Sequence, residues 1–179
     1  MIVASAGRRI DETNAETSRF PLENVALTRA RIFEFLKKEA ATILVCSAAC
    51  GADLLILEAA GQLKIERHII LPFERERFRT TSVIDRPGDW GKPFDEICGE
   101  VEKQGNLTVL KDFENDSDAY SAATTEILNK AESLQSTGEN QKLALLIWEG
   151  NVKSEDDETA GFATKANARN FVVKEILTK

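Results

Sequence analysis

Residues 43–60, ILVCSAACGADLLILEAA, constrain the fold more than any other part of the chain. Four apolar residues lead into a small-residue turn, and the turn leads directly into a helical pattern of leucines. This arrangement is typical of a buried parallel strand followed by a helix. Uncovered backbone N–H groups at the start of that helix, together with its dipole, attract a phosphate or another anion. The alternative is a tight strand-to-helix turn that serves packing alone.

The same alternation recurs along the whole chain of 179 residues. Other short apolar runs, interpreted as strands, occupy residues 2–4, 67–71, 107–110, 143–148 and 171–177. Helical stripes occupy residues 25–40, 52–63, 94–101, 120–131 and 159–168. This spacing predicts one domain over residues 1–179, an α/β fold with a Rossmann-like doubly wound, mainly parallel sheet of about five to six strands flanked by helices.

Local signals predict several boundaries within this pattern. Pro21 is suited to the first helical position of the first helix. Ser117 or Asp118 is expected to cap the helix over residues 120–131. Gly138 and Asn140 indicate a turn. Residues 10–20 are polar and are predicted to be irregular.

The longest segment without periodicity covers residues 73–91, FERERFRTTSVIDRPGDWG. Long irregular loops within a domain are often functional. Its mixed charges and aromatic residues favour a lid or side wall over a polar ligand. The alternative is a surface loop pinned to the core by Phe78 and Trp90.

Composition narrows the classes of partner. The net charge is −7 and the pI about 4.9, so no broad nucleic-acid surface is expected. A small anion in a local basic pocket remains compatible with this charge. No apolar stretch approaches the ~20 residues that span a bilayer, and MIVASAGRR lacks the charged start of a signal peptide.

Three sparse cysteines, Cys46, Cys50 and Cys98, indicate reduced thiols in a cytoplasmic protein. With His68 as the single histidine, neither a metal site nor a cofactor is predicted. The apolar stripe over residues 25–36 is explained equally by packing in the chain's own core or by a dimer face, so a homo-oligomer is possible.

Polar segments follow several predicted strands, and the carboxyl ends of parallel strands meet at one edge of a sheet. Arginines for phosphate and carboxylates for ribose hydroxyls would together suit a nucleotide. The predicted ligand-binding residues are Ser5, Gly7, Arg8, Arg9, Ser47, Ala48, Ala49, Gly51, Ala52, Asp53, Glu74, Arg75, Arg77, Trp148 and Glu149. Asp53 has two interpretations, a helix cap or a ligand for a hydroxyl group.

The segment SAACGADLLILEAA resembles the turn and helix of the SLOG (Smf/DprA–LOG) superfamily, in which a GGAxGADxxAxxAA loop binds nucleotide phosphates. The segments SAGRRID and LPFERERFRTTSVIDRPGDW are also similar to those of SLOG-type domains from bacterial signalling and defence genes. The resemblance implies a Rossmann-like sheet and a nucleotide or NAD-derived ligand. It places phosphate at residues 47–51 and the ligand within reach of Arg8, Arg9, Arg75 and Arg77.

Three functions follow from these observations. The first is a ligand sensor or signalling module that binds a nucleotide or NAD-derived small molecule. The second is an N-glycosidic hydrolase or transferase, in which Glu74, Glu58 or Glu149 would stabilise the reacting centre or activate water. The GGxGTxxE motif of the phosphoribohydrolase branch is absent, and Glu58 is the acid in that helix that could replace its glutamate. The third is an interaction domain without a small ligand.

Overall fold

The computed structural model describes residues 1–135, 141–154 and 157–179. Within these ranges strands and helices alternate. The strands are β1 (Ile2–Gly7), β2 (Ile43–Cys46), β3 (Glu66–Leu71), β4 (Leu107–Val109), β5 (Lys142–Trp148) and β6 (Val172–Leu177). The helices are α1 (Val25–Lys38), α2 (Ala52–Gln62), α3 (Arg75–Ser82), α4 (Gly91–Lys103), α5 (Asp116–Ser133) and α6 (Glu158–Ala168).

In the described part of the chain the six strands form one parallel sheet in the order β4-β3-β2-β1-β5-β6. The predicted α/β, Rossmann-like doubly wound fold is therefore confirmed. Strand order reverses beside β1, which pairs with β2 on one side and with β5 on the other. In open parallel sheets this reversal leaves a crevice beyond the carboxyl ends of the strands, where ligands bind.

Two apolar clusters cover the two faces of the sheet, which is why the strands read as apolar runs. The first cluster joins the sheet to α1, α2 and α4, and the second joins it to α5 and α6. Ile32 and Leu36 of α1 are buried in the first cluster. Much of the apolar stripe of α1 thus packs in the core of its own chain, whereas Leu27 is exposed.

Residues 73–91 are not irregular throughout, so that prediction was wrong where α3 forms. Phe78 of α3 is buried in the first cluster, and Trp90 is also buried, as expected of the two pinning residues. Apart from Phe78, α3 is almost entirely polar. Arg79 fixes its outer face to α4 through paired hydrogen bonds of 3.0 and 3.1 Å from Nε to the carboxylate of Asp95.

Two smaller boundary predictions also need correction. The cap of α5 is Asn115, whose side chain accepts a 2.9 Å hydrogen bond from the N–H of Asp118. Ser117 and Asp118 lie inside the first turn of that helix instead. Pro21 has extended backbone angles and precedes a 3-10 turn, Leu22–Asn24, that leads into α1. The turn predicted at residues 138 and 140 lies outside the described residues.

The cysteines are free and buried, as their sparse pattern predicts. Among the residues that the structure describes, every helix is too short or too polar to span a bilayer.

Strand β6 lies at one edge of the sheet and carries charged side chains. Lys174 forms a 2.8 Å ion pair with Glu39, which follows α1. Glu175 accepts a 2.7 Å hydrogen bond from the indole N–H of Trp148. Arg31 of α1 donates to the carbonyl of Leu177 at 2.6 Å, so the last residue of β6 is bonded to α1.

A Gly7→Ala substitution tests the close contact between β1 and α2. A Cβ added at Gly7 would lie 2.3 Å from the Cβ of Ala52 and 2.7 Å from the carbonyl oxygen of Ile147. We expect roughly 1–3 kcal/mol of destabilisation from this overpacking, measured by urea unfolding. Gly99→Ala is the matched control, because a Cβ there meets nothing within 4 Å and alanine favours the helix by up to about 1 kcal/mol. Equal free energies of unfolding for Gly7→Ala and Gly99→Ala would contradict the close packing of Gly7 against Ala52 and Ile147.

Candidate functional site

Arg8 directly follows β1 and occupies the strand-order reversal. Its buried guanidinium donates five hydrogen bonds through all three of its nitrogens. Nε donates to Glu149 at 2.6 Å, Nη1 donates to Asp157 at 2.6 Å, and Nη2 also reaches the carbonyl of Asn151 at 2.8 Å. Burial opposes the charge of Arg8, but these carboxylates raise its pKa above the ordinary value.

Glu149, the residue after β5, is shared by two arginines. Arg19 contacts one carboxylate oxygen while Arg8 Nε holds the other. Burial alone would raise the pKa of Glu149, but hydrogen bonds from Arg8 and Arg19 outweigh it and hold that pKa below its usual value. Glu149 is therefore an ionised, buried structural carboxylate in this structure.

Asp157 closes the same network from α6. Its carboxylate pairs with Arg8 and also accepts the backbone N–H groups of Lys153, Thr159 and Ala160. Burial would raise the pKa of Asp157, but these bonds lower it to about 2. One carboxylate thus caps α6 and anchors the preceding loop to β1.

Residues 10–20 form a closed loop rather than a simple polar connection. The N–H of Asp11 donates to the carbonyl of Phe20 at 2.9 Å, and the Asp11 carboxylate accepts the N–H groups of Arg19 and Phe20. Ile10 and Phe20 are buried at the two ends of the loop. Sequence reasoning missed Arg19; the flanking pair of apolar residues was the available signal for a closed loop.

The sequence predicted uncovered N–H groups at the turn formed by residues 47–51, but several donors in and directly after this turn are already used within the protein. The N–H groups of Ala49, Cys50 and Ala52 already donate to protein oxygens. Their acceptors are, in order, the carboxylate of Asp53, the carbonyl of Ser82 and the carbonyl of Arg8, at 3.2, 3.0 and 3.1 Å. A ligand that used these donors would have to replace those oxygens.

Steric contacts around this turn are equally close. Gly51 is buried with φ +91°, and an added Cβ would lie 2.8 Å from the carbonyl oxygen of Arg8. Ala48 and Ala52 are also buried, while Ser47 and Ala49 are partly exposed. Gly51 is therefore needed for the backbone approach between β1 and α2.

Asp53 lies in the first turn of α2 and is buried. It does not cap the helix from the N-cap position, which Gly51 occupies, but it accepts the N–H of Ala49. Burial raises the pKa of Asp53 to about 7, against the opposing effects of that hydrogen bond and of Arg9. Its protonation state therefore changes close to neutral pH. Its role toward a ligand hydroxyl stays a prediction.

Arg9 lies beside the start of α2 and pairs with Asp85 from the segment after α3. Asp85 also faces Arg86, which contacts Glu12 at 2.8 Å. Arg9 and Arg86 are both partly exposed. Together with Arg8 and Arg19, they surround the strand-order reversal with four arginines from three separate segments.

The structure does not bring every predicted residue into this cluster. Arg75 and Arg77 hold α3 to its neighbours, donating respectively to the carbonyl of Asp95 in α4 at 2.9 Å and to Asp116 of α5. Glu74 precedes α3 at its N-cap. Glu58 pairs with Arg29 of α1 at 3.1 Å. Glu58, Glu74 and Glu149 therefore lie on three separate elements with different neighbours.

Of the predicted residues Ser5 and Trp148, it is Trp148 that contacts Arg8. Ser5 is buried and donates its hydroxyl to the carbonyl of Leu145, within the sheet. The guanidinium carbon of Arg8 lies 5.7 Å from the ring centre of Trp148, a cation–π contact.

Among the described residues, no group of His, Cys, Asp and Glu side chains is arranged to hold a metal ion.

No protein-family model matches the chain, and no curated protein matches it in sequence. The resemblance to the SLOG superfamily therefore stays a prediction that depends on the turn and loop segments alone.

Arg8→Met tests whether the buried ion network holds the crevice together. Methionine fills similar space but leaves Glu149 and Asp157 buried without their shared cation, so we expect roughly 3–5 kcal/mol of destabilisation in urea unfolding. Arg29→Met is the control, because the exposed Arg29–Glu58 pair should contribute less than about 1 kcal/mol. A similar loss of unfolding free energy in Arg8→Met and Arg29→Met would show that the buried ion network contributes no more to stability than an exposed ion pair.

Asp53→Asn tests the raised pKa of the buried carboxyl. Its ordinary pKa is 3.8 and its pKa in the fold about 7, so between these values the folded chain binds more protons than the unfolded chain. The stability of the parent protein therefore falls as pH rises through this window, and Asp53→Asn abolishes that loss. As pH rises, we expect the free energy of unfolding of Asp53→Asn to increase relative to that of the parent protein by up to about 4 kcal/mol, and this difference should level off above about pH 8.

The measurement is urea unfolding across this pH range, with Glu96→Gln as an exposed control of equal charge change. An advantage that is constant with pH would contradict a raised pKa for Asp53.

Proposed function

We propose that the chain binds a nucleotide or an NAD-derived small molecule at the carboxyl ends of β1 and β5 and acts as a ligand sensor or signalling module. One observation carries this proposal. Arg8, Arg9, Arg19 and Arg86 gather around the strand-order reversal of a chain whose net charge is −7. Guanidinium groups at this place in a parallel sheet favour a phosphate-bearing ligand.

The four arginines differ in what they can offer a ligand. Arg8 is buried and its hydrogen bonds are used within the protein. Arg19 is partly exposed and shares Glu149 with Arg8. Because Glu149 keeps Arg8 as a partner, Arg19 can turn toward a ligand without leaving a buried carboxylate unpaired. Arg8 thus supports the site, and Arg19 is available to contact the ligand.

The resemblance of residues 5–11, 47–60 and 71–90 to SLOG-type domains supports a nucleotide rather than another anion, and a role in bacterial signalling or defence. Because the N–H groups of Ala49, Cys50 and Ala52 already have protein acceptors, a ligand is expected to meet side-chain donors first. Phosphate contact with the N–H of Cys50 would require the carbonyl of Ser82, at the end of α3, to move away.

A thermal-shift screen against mononucleotides, cyclic oligonucleotides, NAD and ADP-ribose tests this proposal. A ligand at a hundred times its Kd adds about 2.7 kcal/mol of stability, which raises Tm by several degrees. For any hit, Arg19→Gln should weaken binding by about tenfold or more in calorimetry, and Arg29→Gln should change it by less than about twofold. Equal affinities of the two variants would place the site elsewhere, and a panel without hits would favour an interaction domain.

The same samples, followed over time for release of free base, test the alternative of an N-glycosidic hydrolase. In that reaction Glu149 is the candidate carboxylate at the strand ends. Turnover that survives Glu149→Gln would exclude it from that role.

A further inference from the structure

Arg9 and Arg86 converge on one carboxylate although they come from opposite ends of the site. Arg9 follows β1, Arg86 lies between α3 and α4, and Asp85 sits between their guanidinium groups. Arg9 Nη2 donates to one oxygen of Asp85. Arg86 Nε lies 3.5 Å from the other oxygen without forming a hydrogen bond.

Both arginines have a buried donor without a hydrogen-bond partner, and the Cys50 thiol also lies beside the Arg9 guanidinium. The Nε atoms of Arg9 and Arg86 are buried and have no hydrogen-bond partner. A buried donor without an acceptor is destabilising, so native structures rarely keep one. Two such donors, on two guanidinium groups that face the same carboxylate, are satisfied if an anion with more acceptor oxygens takes the place of that carboxylate.

The electrostatic surroundings favour an anion at this place. The Arg9 guanidinium lies near the N-terminal end of α2, since it acts electrostatically on Cys50 and on Asp53 in the first turn of that helix. The positive end of the helix dipole adds to the two guanidinium charges. The carboxylates that pair with these arginines are more exposed than those around Arg8, since the side chains of Asp85 and Glu12 are 32% and 68% exposed.

We propose that an oxyanion of the phosphate type binds between Arg9 and Arg86 by displacing the carboxylate of Asp85, which takes its place when no ligand is bound. This inference rests on the proposed function and assigns the ligand's anionic group to a subsite. A phosphoryl group offers three oxygens where Asp85 offers two, so it can accept from both guanidinium forks. Arg8 stays outside this subsite because its five hydrogen bonds lie within the protein.

The side-chain Nε–H signals of arginine in ¹⁵N–¹H NMR spectra give a direct test, with inorganic pyrophosphate as the probe. We expect the signals of Arg9 and Arg86, assigned through Arg9→Gln and Arg86→Gln, to move on titration. Arg29, which pairs with Glu58 on α1 and α2, is the internal control and should not move. Signals that shift equally at Arg29 and Arg9, or at neither, would overturn the subsite. Glutarate in a parallel titration separates phosphate-type recognition from a general preference for carboxylates: an equal response would overturn the assignment to phosphate.

Asp85→Asn tests the displacement itself. Removing the internal competitor should tighten pyrophosphate binding by about tenfold, whereas Glu96→Gln, with the same change in net charge, should not. Weaker or unchanged binding by Asp85→Asn would overturn the role of Asp85 as a competing anion. Failure of the proposed function is distinguishable from failure of this subsite. In the first case no nucleotide stabilises the protein, and in the second a nucleotide binds while Arg9 and Arg86 do not respond.

Discussion

The buried guanidinium of Arg8 is the interaction on which the crevice depends. It joins the end of β1 to the residue after β5 and to the cap of α6. A buried cation that lost these partners would be strongly destabilising. The loop after β5 must therefore close onto β1 whenever the sheet forms. The floor of the crevice is consequently fixed by folding rather than by the arrival of a ligand.

This constraint divides the charged residues into two groups. Around Arg8 the carboxylates are buried and make several hydrogen bonds each, so they belong to the scaffold. The carboxylates that pair with Arg9 and Arg86 are partly exposed at Asp85 and exposed at Glu12, and buried donors of both arginines stay unsatisfied. The carboxylates around Arg8 therefore act as a preorganised support, whereas those around Arg9 and Arg86 are the ones that a ligand anion would replace. Preorganisation of this kind lowers the entropy that binding has to overcome.

Local sequence signals predicted the fold well where burial on both sides leaves a continuous apolar run. Strand β2 begins and ends where the run ILVC does. They failed for α3, because a helix held by one buried aromatic residue and by ion pairs has little apolar periodicity. The candidate site was only partly predictable for a related reason. Arg8 and Glu149 follow strands and could be found, whereas Arg19 is brought to Glu149 by the pairing of Asp11 with Phe20, which no local pattern encodes. The cap at Asn115 was missed by two or three positions.

The charged edge at β6 also limits how this sheet can grow. If β6 of a second copy paired antiparallel with this strand about a two-fold axis, directly opposite residues would point to the same face of the sheet. Two registers meet this condition and pair most of β6. One places Lys174 opposite Lys174 of the second copy, and the other places Glu175 opposite Glu175. Like charges directly opposite each other weaken cross-strand pairing. Because Lys174 and Glu175 are adjacent, each of the two registers brings one like-charged pair together, and edge-to-edge aggregation through β6 is therefore opposed.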